Sequence, residues 1–262
     1  MILTVAFGKG GTGKTTTVQC LYHAARRQGF KCLAIDTDPQ ANLTAAFGAN
    51  TNARGCYEVI TGKADAADVI QATEQGDIIA AGLRMSQAEN ELAGMAGSDL
   101  ALKAALQPIS AKYDFIFIDT MPERTRLQVN AIIACDSVLL PMQANAFSIM
   151  GLYQMKDTIN QIRNNPYLNP KLTVSGILLV KYNPRQALAR DLTEAIQAEA
   201  KAMNTVVFNT HIRQGVDIEK AQALKQSIFD YAPRCNPAID YANLFEELKD
   251  ICVLNAYMKG RV

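Results

Sequence analysis

The sequence is poor in metal ligands: its 262 residues include only two histidines, His23 and His211, and six scattered cysteines with no Cys-x-x-Cys pair. Thiolate and imidazole metal centres therefore have little support. No window approaches the roughly 20 consecutive apolar residues that a membrane-spanning helix needs. The apolar start from Met1 to Phe7 has no basic leader and runs straight into glycines, unlike a signal peptide. Net charge is also nearly absent, at +1. That excludes an overall basic field able to hold nucleic acid, so any such binding rests on a local patch or on oligomerisation. Internal repeats, low-complexity tracts and Pro/Gly/Ser-rich linkers are missing too. What remains, 49% hydrophobic and 19% charged, is the composition of an ordinary globular protein. It predicts one domain over residues 1–262 in a reducing cytoplasm, with the thiols acting as small buried hydrophobes.

Short β-rich apolar runs alternate with helical patterns. Residues 2–7, 32–36, 77–81, 114–119, 137–141, 174–180 and 205–208 read as strands. Residues 15–28, 100–109, 127–134, 148–164, 187–203 and 238–254 carry the apolar spacing of helices with one buried face. This order predicts an α/β fold, a doubly wound, mostly parallel sheet with helices on both faces. Runs such as Phe115-Ile116-Phe117-Ile118, apolar at consecutive positions, fit strands covered on both sides. Right-handed crossovers then gather the loops that follow the strands at one edge. With the first strand beginning at Ile2, no N-terminal helix-turn-helix module is expected.

The first strand is followed by Gly8-Lys9-Gly10-Gly11-Thr12-Gly13-Lys14-Thr15-Thr16 and then a helical run. Gly8, Gly13, Lys14 and Thr15 fit the pattern G-x-x-x-x-G-K-[ST] in the strand–loop–helix context that a phosphate-binding loop requires. The glycines let backbone N–H groups wrap a phosphate chain, the helix N-terminus adds its positive end, and Lys14 reaches the terminal phosphates. Thr15 is the expected Mg²⁺ ligand, which makes a magnesium nucleotide the implied cofactor.

Lysine at the second position of this loop, Lys9, resembles the deviant Walker A box of the ParA/MinD family of partitioning and positioning ATPases. Asp36-Thr37-Asp38-Pro39-Gln40-Ala41-Asn42 resembles the family's D-x-D-P-Q-G-N box, with Ala41 in place of its glycine. The apolar strand ending at Asp119 is similar to a Walker B strand, although Asp119-Thr120-Met121-Pro122-Glu123-Arg124 departs from the family's usual Asp-x-Pro-Pro-Ser. Asn130-Ala131, Ala134-Cys135-Asp136-Ser137-Val138 and Leu140-Pro141-Met142-Gln143 extend the likeness over nearly the whole chain.

The resemblance implies ATP and Mg²⁺ as cofactors, with residues Gly8, Lys9, Gly10, Gly11, Thr12, Gly13, Lys14, Thr15 and Thr16 around the phosphates. It implies Thr15, Asp36 and Asp119 at the metal and Asp38 orienting the attacking water. Lys9 would cross to the partner's nucleotide in a homodimer that sandwiches two ATPs, in the manner of an arginine finger supplied in trans. Lys181-Tyr182-Asn183-Pro184-Arg185 is similar to a Tyr-Asn-Pro loop of MinD-like members, which implies Asn183 at the adenine amino edge and Ile212-Arg213 beside the base.

For ParA-like members the resemblance further implies nonspecific DNA binding by the ATP dimer and a ParB-like activator. Lys181, Arg185 and Arg190 are the candidate DNA contacts, with Arg213 and Arg234 near them, while another basic position of the family falls on Val216. The alternative from the same family is a MinD-like membrane-positioning ATPase with a C-terminal amphipathic anchor. Residues 248–262 carry few basic residues and no clean polar face, so packing of that helix on the core is expected instead. A nitrogenase-reductase-like cluster carrier would need cysteine pairs, and only Cys135 lies near the site in sequence. No guanine-reading Asn-Lys-x-Asp motif is present.

Overall fold

The computed structural model describes residues 1–183 and 187–258, with side chains outside 187–191 and 252–258. In chain order its elements are β1 (Ile2–Val5), α1 (Lys14–Arg27), β2 (Cys32–Asp36), α2 (Asn42–Ala46), α3 (Cys56–Ile60), β3 (Ile70–Thr73), β4 (Gly76–Ile79), α4 (Met85–Gly94), α5 (Ala101–Leu106), β5 (Phe115–Asp119) and α6 (Arg126–Ala134). They continue with β6 (Ser137–Met142), α7 (Ala146–Asn164), β7 (Thr173–Leu179), α8 (Ala187–Ala202), α9 (Asp217–Ala223), α10 (Ile228–Tyr231) and α11 (Asn236–Met258). Seven strands form one sheet in the order β3-β4-β2-β5-β1-β6-β7. All pairs are parallel except β3 with β4.

Consecutive apolar residues in the central strands serve two cores. Phe115 and Phe117 of β5 join the cluster beneath α1 and α11, while Ile116 and Ile118 join the opposite cluster with α3 to α6. Strands β6 and β7 divide likewise: Leu139 and Leu178 face α11, and Val138, Leu140 and Ile177 face α7. α11 docks through Tyr241, Leu244, Phe245 and Leu248, all fully or almost fully buried. Of residues 248–262, expected to pack on the core, side chains are described only for 248–251, the buried Leu248 among them. Cys135 is buried too, its Sγ 3.3 Å from the Ile132 carbonyl, and burial pushes its thiol up to about 12. It packs as a small buried hydrophobe in the cluster beneath α7.

Among the strands, two differ from the sequence expectation. Residues 205–208 make only a bridge to the sheet, Val207 beside Ile177, with bonds from Ile177 N to Val206 O and from Phe208 N to Ile177 O, both 2.9 Å. The Phe208 ring occupies the space beside Gly176, where a Cβ would lie 2.4 Å from it. β3 is an added edge strand, half polar and partly exposed, folded back from β4 through a turn at Gly76 with φ 125°.

The registers place the chemistry. Val5 pairs with Asp119, and Asp119 with Asp36, so the ends of β1, β5 and β2 are level. The loop after β1 and both acids therefore share the carboxyl edge of the sheet, where open α/β folds bind ligands.

Candidate functional site

The loop from Gly8 to Gly13 leaves β1 and opens α1. Gly11 and Gly13 take φ of 72° and 76°, left-handed values that disfavour any side chain, and Gly13 caps α1. α1 has no acid in its first turn, so its N-terminal partial charge is not neutralised by its own side chains. Lys14 is buried, and its Nζ donates to the Lys9 carbonyl at 3.0 Å. Burial lowers its pKa, while the charges of Asp119 and Asp38 oppose the drop. Thr12 Oγ1 donates to the same Lys9 carbonyl at 3.3 Å, and Gln143 Nε2 donates to Gly11 O at 3.2 Å.

At the end of β2, Asp36 is fully buried and accepts three hydrogen bonds. Asp38 N donates to Oδ1 at 3.0 Å, and Thr44 N and Oγ1 donate to Oδ2 at 2.9 and 2.8 Å. Desolvation still dominates, helped by the Asp38 charge, and raises the Asp36 carboxyl to about 6. Asp119 is equally buried. Its Oδ1 accepts from Thr120 N at 3.0 Å, whereas Oδ2 has no hydrogen bond. Burial first, and then the nearby Asp36, push it well above the carboxylate range, while the Lys14 charge works against the rise. Thr37 Oγ1 donates to Asp119 O at 2.6 Å and Thr120 Oγ1 to Val5 O at 2.9 Å, stitching the three strand ends together. The Asp38 carboxylate is fixed by Gln40 N, which donates to Oδ1 at 2.9 Å.

Ala41, where the family box has glycine, sits at φ 53° and ψ 34° and caps α2. The position calls for a left-handed residue, which explains the glycine and costs an alanine about 1 kcal/mol. Glu123 is an exposed loop residue.

The other expected contacts gather on the same edge. Tyr182 N donates to Ile212 O at 3.1 Å, which brings the Asn183 segment beside Ile212 and Arg213. Ile212 itself is buried. Arg213 is committed to Asp240 of α11: Nη2 to Oδ1 is 2.6 Å and Nε to Oδ2 is 3.0 Å, so its guanidinium has a structural partner. Lys181 is exposed at φ 50° and Val216 is exposed. Arg185 and the side chain of Arg190 lie outside the described residues.

Three contributors carry no local sequence signal. Thr44 holds Asp36 and also accepts from Ala81 N at 2.8 Å. Gln222 of α9 donates to Thr16 Oγ1 at 3.3 Å and Gln19 Oε1 at 3.0 Å. With Thr15, Asn42 and Lys225, Gln222 lines an open groove of about 470 Å³ beside the loop. Asp240 is the partner of Arg213.

A strand that ends in a glycine loop opening a helix, with acids level with it on the neighbouring strands, defines a P-loop nucleotide-binding protein. Comparison with known proteins narrows this class. The AAA domain profile matches residues 1–174. The chain is 32% identical over 251 residues to the sporulation initiation inhibitor protein Soj of Bacillus subtilis (strain 168), covering 94% of this chain and 97% of Soj. It is 32% identical over 253 residues to the chromosome partitioning protein ParA of Caulobacter vibrioides (strain NA1000 / CB15N), covering 94% of this chain and 93% of that one. Among solved structures, cobyrinic acid a,c-diamide synthase from Mycobacterium smegmatis, with bound ADP and magnesium, matches with a TM-score of 0.81 at 26% identity over 99% of this chain and 96% of that one. The chain belongs to the ParA/MinD family of P-loop ATPases whose phosphate loop carries a second lysine.

Proposed function

We propose that this chain is an ATP-dependent dimerising switch of DNA partitioning. In this reading it binds ATP with magnesium, dimerises around the nucleotides and holds nonspecific DNA as the ATP dimer. It then hydrolyses ATP to ADP and phosphate under stimulation by a ParB-like partner. The observation that carries the reading is the buried, unpaired Oδ2 of Asp119 beside Asp36, level with the loop that opens α1. Two buried carboxyls whose pKa values are raised by desolvation call for positive charge, and Lys14 alone is not enough to neutralise both.

A magnesium nucleotide suits this donor set. Magnesium typically takes one or two carboxylates with phosphate oxygens and waters. No group of three His, Cys, Asp or Glu among the described residues could hold an ion without such help. Thr15, Asp36 and Asp119 would hold it, directly or through water, and it would neutralise charge on the transferred phosphoryl group. Lys14 would leave the Lys9 carbonyl for the terminal phosphates. Asp38, fixed by Gln40 N, would orient the attacking water. Lys9 would act on the partner's nucleotide, and Asn183, Ile212 and Arg213 would border the adenine. Lys181, Arg185 and Arg190 would meet the DNA backbone. No helix among the described residues is long and apolar enough to cross a membrane.

The Asp38→Ala variant tests the reading. It is expected to bind ATP, to accumulate as a dimer, and to lose turnover by roughly two to four orders of magnitude. With ATP and not ADP it should co-sediment with duplex DNA, and salt should reverse this. A protein that stays monomeric with ATP rejects the role given to Asp38. A dimer that ignores DNA keeps the switch and rejects the partitioning role.

A further inference from the structure

The amino edge of the sheet, opposite the phosphate loop, holds a recess of its own. A cavity of about 420 Å³ opens where β2, β4 and β5 begin, between the last turn of α1 and the residues that lead into β5. That volume suits a small molecule carrying one ring. Its inner walls are aromatic: Tyr22 is almost fully buried, and Phe30 and Tyr113 are partly buried. Gly76 lets two of the walls close up, since a Cβ there would lie 2.1 Å from the Tyr22 hydroxyl and 2.7 Å from Arg26 Nη1.

The rim is cationic. Arg26, Lys31 and Lys112 line the cavity against a single carboxylate, Asp77, whose Oδ2 accepts from the Tyr113 hydroxyl at 3.0 Å. Arg26 gives Nη1 to the Gln75 carbonyl, and its guanidinium sits 5.9 Å from the Tyr22 ring centroid. Asp114, next to Tyr113, accepts the Lys31 backbone N–H at 2.8 Å. Among the described residues neither the Lys31 nor the Lys112 ammonium has a hydrogen bond or an ion pair. An excess of one sign of charge over an apolar, concave floor concentrates the field at the mouth of a cleft.

We propose that this cavity binds a small aromatic anion, a carboxylate or phosphate monoester on a single ring, with the ring against Phe30 and Tyr113 and the oxyanion on Arg26, Lys31 and Lys112. Each half needs the other. A bare inorganic anion gains little from exposed lysines, and a neutral ring leaves the cations unanswered. The site is separate from the nucleotide's, because α1 begins at Lys14 in the phosphate loop and reaches the cavity only in its last turn, about 20 Å away. A ligand there would clamp the foot of α1 to the turn before β4 without entering the phosphate loop.

Calorimetric titration of the full chain with phenyl phosphate, benzoate and inorganic phosphate tests the site. The phosphate loop is filled with a non-hydrolysable ATP analogue and magnesium, or disabled by Lys14→Ala, so that the loop itself cannot supply the signal. At least one ring-bearing probe is expected to bind one to one below about 1 mM and to weaken as salt rises, the tighter of the two identifying the head group. Inorganic phosphate is expected to bind at least about tenfold more weakly for want of the ring. Lys31→Ala together with Lys112→Ala is expected to weaken the ring-bearing probe roughly three- to thirtyfold, the worth of two exposed charge contacts. Both side chains are exposed, so the fold does not depend on them. In wild type, mass spectrometry should find acetylation of Lys31 and Lys112 slowed by the bound probe and that of the exposed Lys201 unchanged. Failure of both ring-bearing probes to bind, equal binding of inorganic phosphate, loss of the signal when the loop is filled or disabled, or undiminished affinity in the double variant overturns the site.

Discussion

Two regions within reach of the same loop are built on opposite terms. At the strand ends, Asp36, Thr37, Asp119 and Thr120 are fully buried, and Asp36 alone accepts three hydrogen bonds. At the start of α7, Phe147, Met150 and Tyr153 recur every third residue and stand 77%, 63% and 44% exposed. In the first region the protein has already met the cost of desolvating charge, and the geometry is over-determined by hydroxyls and backbone. The second has no such network and holds Lys9 by a ring face and one long contact. The contrast separates two tasks: handling phosphate charge needs fixed groups, while meeting another molecule needs surface that is still available.

The contrast can be broken, beginning with the largest expected effect. His23 of α1 is buried, stacked on Phe47 at 5.8 Å, with no hydrogen bond at Nε2. Burial, with a smaller push from Arg26, lowers its pKa from 6.5 to about 4. Between those values the unfolded chain binds a proton that the folded chain does not, so stability is lost as the pH falls through that window. The full loss is about 3 kcal/mol. Urea unfolding at neutral pH and at the acid end of the window should show this loss in wild type and a smaller one in His23→Phe; equal losses reject the assignment. Thr44→Val removes the hydroxyl donor from the buried Asp36 and the acceptor from Ala81 N, and is expected to cost about 2 kcal/mol by the same measurement. The backbone donor survives the change, so the cost stays short of losing the whole site.

Smaller effects sharpen the picture. Ala41→Gly should stabilise the subunit by about 1 kcal/mol, because the left-handed conformation no longer carries a Cβ. A destabilised variant in thermal unfolding would show that the side chain's packing outweighs the strain. Met150→Ser should change the stability of the nucleotide-free subunit by no more than about 0.5 kcal/mol. If it costs as much as Thr44→Val, the α7 face is part of the core network and the contrast between the regions fails.

The central strands were legible because helices cover both their faces, which makes apolar residues run on without alternation. β2 was read to its last residue and β5 to within one. β3 escaped because an edge strand with Gln71 and Thr73 on it has neither an apolar run nor a clean period. The short helices α2, α3, α9 and α10 hold four to seven residues, too few for a 3.6-residue period to emerge. The acids Asp36 and Asp119 stood out by their place at strand ends. Thr44, Gln222 and Asp240 did not, because their roles are long-range bonds made by residue types common on any surface. The Ala41 departure was visible as a substitution, and its meaning came only from its dihedral angles.

The strand order has a consequence for how the molecule is made. β1 and β2 never touch, and β5 lies between them. A chain emerging from the ribosome delivers the glycine loop directly after β1, yet that strand has no neighbour until β5 has followed. β2 can meanwhile pair with β4, so the growing molecule holds one organised flank and one waiting strand. Joining them closes a long stretch of chain, a step whose entropy slows assembly more than it weakens the product. A translation product cut short before Phe115 therefore contains every residue of the phosphate loop and no nucleotide site.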